Sequence, residues 1–341
     1  MRKILSFVLL TLGLFCLAVL IQHLGPVVVL KNLRSLGWGL GIVIVVELVI
    51  DALNTCGWRY TLPAGARRIP FISLYCMRQA GGSINAVTPT AMIGGEVVKA
   101  LLLQRYVPLA DGLASVICAK LSFALGQACF ALVGLAAFLH HLLLPTAFKV
   151  ALAGVLLALV VACALFLRLQ RQGMFAPLFR FVDFFGVSPA LARLLRRKAA
   201  LLDEKLVQFY ATRSADFALS VACHFLAQTL GAVQLFILLQ WLGIPGSLFT
   251  CVAIETFSLL IEGALFFVPG KVGVQEGGKT LIFTALGFTA ATGLTVGIAM
   301  RLNYLAVTLL GFVMLAAWQV TPAAACGARY DTQPALHEST R

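Results

Sequence analysis

Two stretches of this sequence place the same charges in the same order inside apolar surroundings, 180 residues apart. Pro89, Glu96, Lys99 and Leu101 in the first are matched by Pro269, Glu276, Lys279 and Leu281 in the second. Proline cannot continue a helix, because it lacks the N–H donor and clashes with the preceding turn. Each stretch therefore reads as two short helices separated by a break, at Pro89, Gly94 and Gly95 in the first and at Pro269, Gly270 and Gly273 in the second. The helix after a break starts with unpaired amide N–H groups and the positive end of a dipole, a place for a phosphate or a carboxylate. On this reading Lys99 and Lys279 hold the anionic part of a head group, and Glu96 and Glu276 hold its amine or a proton. The plain alternative is an i,i+3 salt bridge that also caps the dipole. Asn85 and Thr88 are placed to satisfy backbone groups freed at the first break.

Twelve ionisable side chains fall at membrane depth: Glu47, Asp51, Arg78, Glu96, Lys99, Lys120, Glu255, Glu262, Lys271, Glu276, Lys279 and Arg301. Each costs about 2.5–3.5 kcal/mol in hydrocarbon, so they should face one another or a wet cavity. Asp51, Glu255 and Glu262 are the candidates for proton or ion coupling. Glu47 with Asp51 and Asn54, His224 with Gln228, and Glu255 with Glu262 recur at helical spacing, so each set shares a face. His224 reads as a hydrogen-bonded interior residue rather than a ligand. No paired-histidine or two-His-one-carboxylate spacing appears, so neither a metal nor another cofactor is expected and the case for catalysis is weak. The nine cysteines are single and lie mostly in apolar runs, where thiols act as small apolar side chains.

The elements that must position these residues are membrane spans. The chain is 61% hydrophobic and 11% charged, with a mean hydropathy of +0.98. A soluble 341-residue protein could not hide that much apolar surface, which makes this an all-α polytopic membrane protein. Six full spans are expected near 4–21, 38–56, 110–139, 148–167, 217–241 and 290–318, with broken segments near 71–104 and 247–286. Ile4 to Ile21 reads as a retained first span, with a cleaved signal as the alternative. Of the 26 Lys and Arg, 17 then fall on the side of the N-terminus, three on the other and six at membrane depth, which predicts cytoplasmic termini. Trp38, Trp58, Trp241 and Trp318 fall at span ends and are expected at the membrane interfaces.

Three full spans separate the two broken segments, so the second segment should enter from the opposite face. Interrupted helices at matching places in an inverted repeat point to a transporter's central site. Lys120 and Arg301 each lie on the long span after a broken segment. The whole of 1–321 reads as one membrane domain, with a first half of about 38–139 and a second of about 217–318. Residues 168–213 read as a cytoplasmic connector. Ser188 and Pro189 start a helix in it, with Leu191, Leu194, Leu195, Leu201, Leu202, Leu206 and Phe209 facing away from Arg193, Arg196, Arg197, Lys198 and Lys205. Such a helix suits anionic inner-leaflet lipid. The basic charge needs no nucleic-acid partner, and 322–341 read as a disordered tail.

The residues Gly82, Asn85, Thr88, Pro89, Gly94, Gly95, Glu96 and Lys99, with Pro269, Gly270, Gly273, Glu276, Arg301 and Leu302, resemble a known family. It is the lysylphosphatidylglycerol synthase transmembrane, or flippase-like, family, and the resemblance runs from about Leu33 to Ala317. Lys99 stands where family members more often carry Arg, and Lys271 where Gly is usual. The resemblance implies movement of a lipid between leaflets of a bacterial inner membrane. The broken segments and their charges then read as two re-entrant hairpins meeting near the midplane, with a head-group cleft lined by Asn85, Glu96, Lys99, Glu276, Lys279 and Arg301. Larger members add a soluble aminoacyl-transferase domain, which is not expected here, so no enzyme activity is carried over. Two other readings stand beside it: an intramembrane lipid-modifying enzyme, and a non-catalytic membrane partner of a lipid or glycolipid (for example hopanoid) biosynthesis enzyme.

Overall fold

The computed structural model describes residues 37–88, 93–141, 146–172, 189–264 and 274–320. They form ten α-helices and a short 3-10 turn, with no strand among the described residues. In chain order the helices are α1 (Trp38–Thr61), α2 (Phe71–Val87), α3 (Gly94–Leu103), α4 (Leu109–His141) and α5 (Thr146–Gln172). They continue as α6 (Pro189–Thr212), α7 (Ser214–Trp241), α8 (Leu248–Ala264), α9 (Val274–Ala285) and α10 (Ala290–Val320). Five of them, α1, α4, α5, α7 and α10, are long and apolar enough to cross a membrane. The expected span at 4–21, the breaks at Pro89, Pro269, Gly270 and Gly273, Lys271 and the 322–341 tail lie outside the described residues.

The remaining pairs, α2–α3 and α8–α9, are short helices packed on each other. α3 has 10 residues and α9 has 12, about 15–18 Å of helix, too short to span a bilayer core of about 30 Å. Contacts run backwards along each pair: Gly81 lies by Lys99 and Asn85 by Gly95, while Glu255 lies by Lys279 and Ile261 by Gly278. Both pairs are therefore antiparallel hairpins. α2 stops at Val87 because Thr88 precedes proline and is held in the extended region, at φ −97° and ψ 132°. The Thr88 hydroxyl donates to the Ile84 carbonyl at 2.7 Å, satisfying one of the helix's terminal acceptors.

A long helix, a hairpin and a second long helix thus occur twice: α1 to α4 and α7 to α10. The packing keeps this order under exchange of the halves. α2 packs on α10 and α8 on α4; α4 packs on α7 and α10 on α1; α1 and α7 pack on each other. α1 and α7 run antiparallel. Gly39 meets Trp241 at one end, Gln234 donates to the Val43 carbonyl and Ser220 to the Gly57 carbonyl between, and Arg213 donates to the Leu62 and Tyr60 carbonyls at the other end. The leading helices of the two halves point in opposite directions, as expected of an inverted repeat.

Two details depart from the expected membrane anatomy. Trp38 is 87% exposed, as an interfacial residue would be, but Trp58 is only 3% exposed and Trp318 is buried with it. Both sit in a core cluster with Leu62, Leu74, Leu103 and Val116, where the first hairpin meets α1, α4 and α10, and Trp58 Nε1 donates to Ser115 Oγ at 3.2 Å. Packing at that junction, not the helix end, decides their burial. The described part of α6 is docked on the bundle: Leu206 and Phe209 pack with Cys118 of α4, and Lys205 pairs with Asp111. The side chains of 189–199, which carry Arg193, Arg196, Arg197 and Lys198, lie outside those described.

Candidate functional site

A cavity of about 570 Å³ lies between the two halves. α1 supplies Glu47, Asp51 and Asn54, one turn apart each, so the expected shared face is the cavity wall. The first hairpin adds Arg78, Gln79, Asn85, Glu96 and Lys99, and α4 adds Lys120, Phe123 and Gln127. From the second half come His224 on α7, Glu262 on α8, Gln275 on α9, and Asn303 and Tyr304 on α10.

The hairpin's tight crossing sets the first-half wall. A Cβ on Gly95 would sit 1.9 Å from the Gly81 carbonyl oxygen, so only glycine lets α3 approach α2 this closely. That approach brings Asn85 Oδ1 to the Gly95 amide at 2.7 Å, capping the first turn of α3 across the break. Asn85 Nδ2 also donates to Glu96 at 3.3 Å. Lys99 Nζ lies 3.0 Å from both Glu96 oxygens, the i,i+3 pair that the spacing allowed. Lys120 Nζ is 3.8 Å from Glu96, beyond hydrogen-bond reach.

The α1 wall is held differently. Asp51 pairs with Arg78 and accepts from Gln79 Nε2 at 2.7 Å. Glu47 accepts two amides from the other half, Gln234 at 2.9 Å and Asn303 at 3.1 Å. His224 Nδ1 lies 2.7 Å from Asn54 Oδ1, and the ring fits because Gly57 opposes it: a Cβ there would come within 2.6 Å of Nε2. His224 is thus the buried, hydrogen-bonded residue expected of it.

The second-half residues form a separate cluster. Arg301 donates to Glu276 at 2.6 and 3.2 Å, and Lys279 donates to Glu255 at 2.7 Å and to Ser258 at 3.2 Å. Glu276, Lys279 and Arg301 are all buried, Arg301 to 1% exposure, and none of the three lines the cavity. The six head-group candidates therefore divide. Asn85, Glu96 and Lys99 face the cavity; Glu276, Lys279 and Arg301 face one another and Glu255. Of the coupling candidates, Asp51 and Glu262 reach the cavity and Glu255 does not. Glu47, Arg78, Lys120 and Asn303 are cavity residues that the sequence motif did not single out. Two of them recur by place in the helices rather than at the 180-residue offset: Arg78 is the eighth residue of α2 as Glu255 is of α8, and Lys120 the twelfth of α4 as Arg301 is of α10. Among the described residues no group of three His, Cys, Asp or Glu is placed to hold a metal ion.

A family model for the lysylphosphatidylglycerol synthase TM region matches residues 4–311. The chain belongs to that family. A UPF0104 membrane protein of Methanothermobacter thermautotrophicus is 33% identical over 100 residues. That match spans 29% of this chain and 30% of the archaeal protein, less than a third of either. No solved structure matches the chain. Among the described residues of that matched region, two four-helix halves enclose the polar cavity.

Proposed function

We propose that this protein moves a polar-headed lipid between the leaflets of a bacterial inner membrane, passively or coupled to an ion gradient. The observation that carries the reading is the cavity between the two halves, walled by ionisable and amide side chains from both. Charges at that depth are costly unless they face water or a polar ligand. A head group passing between leaflets meets the same cost and is relieved by the same walls. The two hairpins, read as re-entrant from opposite faces, give each leaflet its own short gate beside the shared cavity. With the termini in the cytoplasm, α6 lies on the inner leaflet, its basic side chains suited to anionic lipid or to a lipid-biosynthesis partner.

The test is reconstitution. Purified protein in liposomes should equilibrate a tail-labelled phospholipid between leaflets, read as the fraction reached by a membrane-impermeant quencher, with the lipid recovered chemically intact. Slowing by Lys99→Ala should accompany it. A new lipid species in mass spectra that depends on Glu96 or Lys99, with no change in leaflet distribution, would replace this reading by the lipid-modifying enzyme.

A further inference from the structure

The two halves place ionisable residues at four matching positions: Arg78 with Glu255, Glu96 with Glu276, Lys99 with Lys279, and Lys120 with Arg301. In the second half the four are two acids and two bases, and they pair as Arg301–Glu276 and Lys279–Glu255, with Glu276, Lys279 and Arg301 buried. In the first half the same positions carry one acid and three bases. Asp51 of α1 neutralises Arg78. Lys99 holds both oxygens of Glu96, and Asn85 takes one of them as well. Lys120 is the cation left over. Its ammonium stands 3.8 Å from a carboxylate already engaged by Lys99, it keeps 41% exposure, and it lines the cavity beside the Phe123 ring. Arg78, Asp51, Glu96, Lys99 and Lys120 thus leave one positive charge, at Lys120, on a wall that a ligand could reach, while Glu47 and Glu262 bring two further carboxylates to the same cavity.

We infer that this excess is the seat of an anionic phosphate group, with Lys120 as its principal ligand and Lys99 beside it. The inference rests on the translocation reading only for the origin of the phosphate; the chemistry it names is the anion. Both ammonium groups can donate to phosphate oxygens, and Phe123 offers a ring face to Lys120. The rest of a head group would meet acceptors. Glu47 holds two amides but no ion pair among the described residues, and Asn303 Oδ1 is buried with no hydrogen-bond partner among them. Hydroxyl or amine donors fit there. The substrate class is therefore a lipid whose phosphate lies next to hydrogen-bond donors, not a phosphate-free glycolipid or sterol-like lipid.

Phosphatidylglycerol and a glucosyl diacylglycerol, labelled alike on the tail, separate these classes. In proteoliposomes the phospholipid should move at least about tenfold faster than the glucosyl lipid, and Lys120→Ala should remove about tenfold of that rate while Lys120→Arg keeps most of it. Equal movement of the two lipids, or an unaffected Lys120→Ala variant, would overturn the anion site and leave translocation standing. A parallel readout is protection from heat in detergent. Phosphatidylglycerol should protect the wild type and the Lys120→Arg variant but not Lys120→Gln, so that a poorly folding alanine variant does not decide the matter. Protection without movement of either lipid would support the anion site and remove the translocation reading. Equal protection by inorganic phosphate would assign the site to a soluble anion and overturn the lipid as its source.

Discussion

Lys120 and Arg301 hold matching places on α4 and α10, each following a short hairpin, yet their surroundings are opposed. Arg301 is sealed at 1% exposure on two Glu276 oxygens, while Lys120 stands partly open with a carboxylate it cannot fully reach. The framework is shared, and the difference lies in what each hairpin contributes: Glu255 on α8, but Arg78 on α2. A buried cluster must compensate every charge, because removing one partner strands the other in low dielectric. A cluster beside a polar cavity can carry an excess, because water or a ligand completes it. One half is built for holding together and the other for holding something.

The largest expected effect follows from that contrast. Arg301→Ala should cost about 3–5 kcal/mol of stability, read as a lowered melting temperature in detergent, because Glu276 loses both of its bonds to the guanidinium. Lys120→Ala should shift stability by no more than about 1 kcal/mol, since its ion pair is long and exposed. Equal losses at the two sites would erase the distinction between the halves.

A double substitution sharpens it. Lys279→Met or Glu255→Leu alone should each cost several kcal/mol, about 3 or more, whereas the two together should recover most of the loss. If the double variant melts as low as the singles, the pair does more than neutralise itself.

The hairpins themselves should differ next. Gly95→Ala drives a methyl into the Gly81 carbonyl and should cost about 1–3 kcal/mol. Gly277→Ala, in the first turn of α9, meets nothing within 4 Å and should be neutral or stabilising by up to about 1 kcal/mol. Melting curves of the two variants compare the crossings directly. The smallest effects concern the contacts between halves. Ser83 donates from α2 to the Thr308 carbonyl of α10 at 2.7 Å, so Ser83→Ala should cost about 1 kcal/mol. In the counterpart contact, Thr256 Oγ1 of α8 lies against α4 with no hydrogen-bond partner among the described residues, so Thr256→Val should stay within about 0.5 kcal/mol.

Much of the framework is legible in the sequence because it is written in local chemistry. Proline after Thr88 ends α2 where expected, Asn85 caps the next helix, and Glu96 and Lys99 pair within one turn. The apolar runs mark the long helices for the same reason. What was not legible depends on partners far apart in the chain. Glu255 and Glu262 share a helix face, but two turns of helix separate them by about 10 Å, so one meets Lys279 and the other the cavity. Glu47 could not be distinguished from Asp51 by spacing, since the distinction is Gln234 and Asn303 against Arg78. The repeat exposed matching charges but not which of them would find partners.

α5 shows a different kind of contribution. No residue described between Lys149 and Leu169 is buried, so α5 adds little to the packed core. Yet α4 and α7 run side by side in the same direction, as Ser122 against Ser220 and Gly126 against His224 show. Two crossings joined in this way can be parallel only if a return crossing lies between them, and α5 is that return. Its role is one of parity: it turns the chain round once, so that the second copy of the four-helix unit is laid down upside down. Its sequence is therefore free to drift among apolar residues, while its presence is not negotiable, and losing it would leave two copies facing the same way with no shared cavity between them.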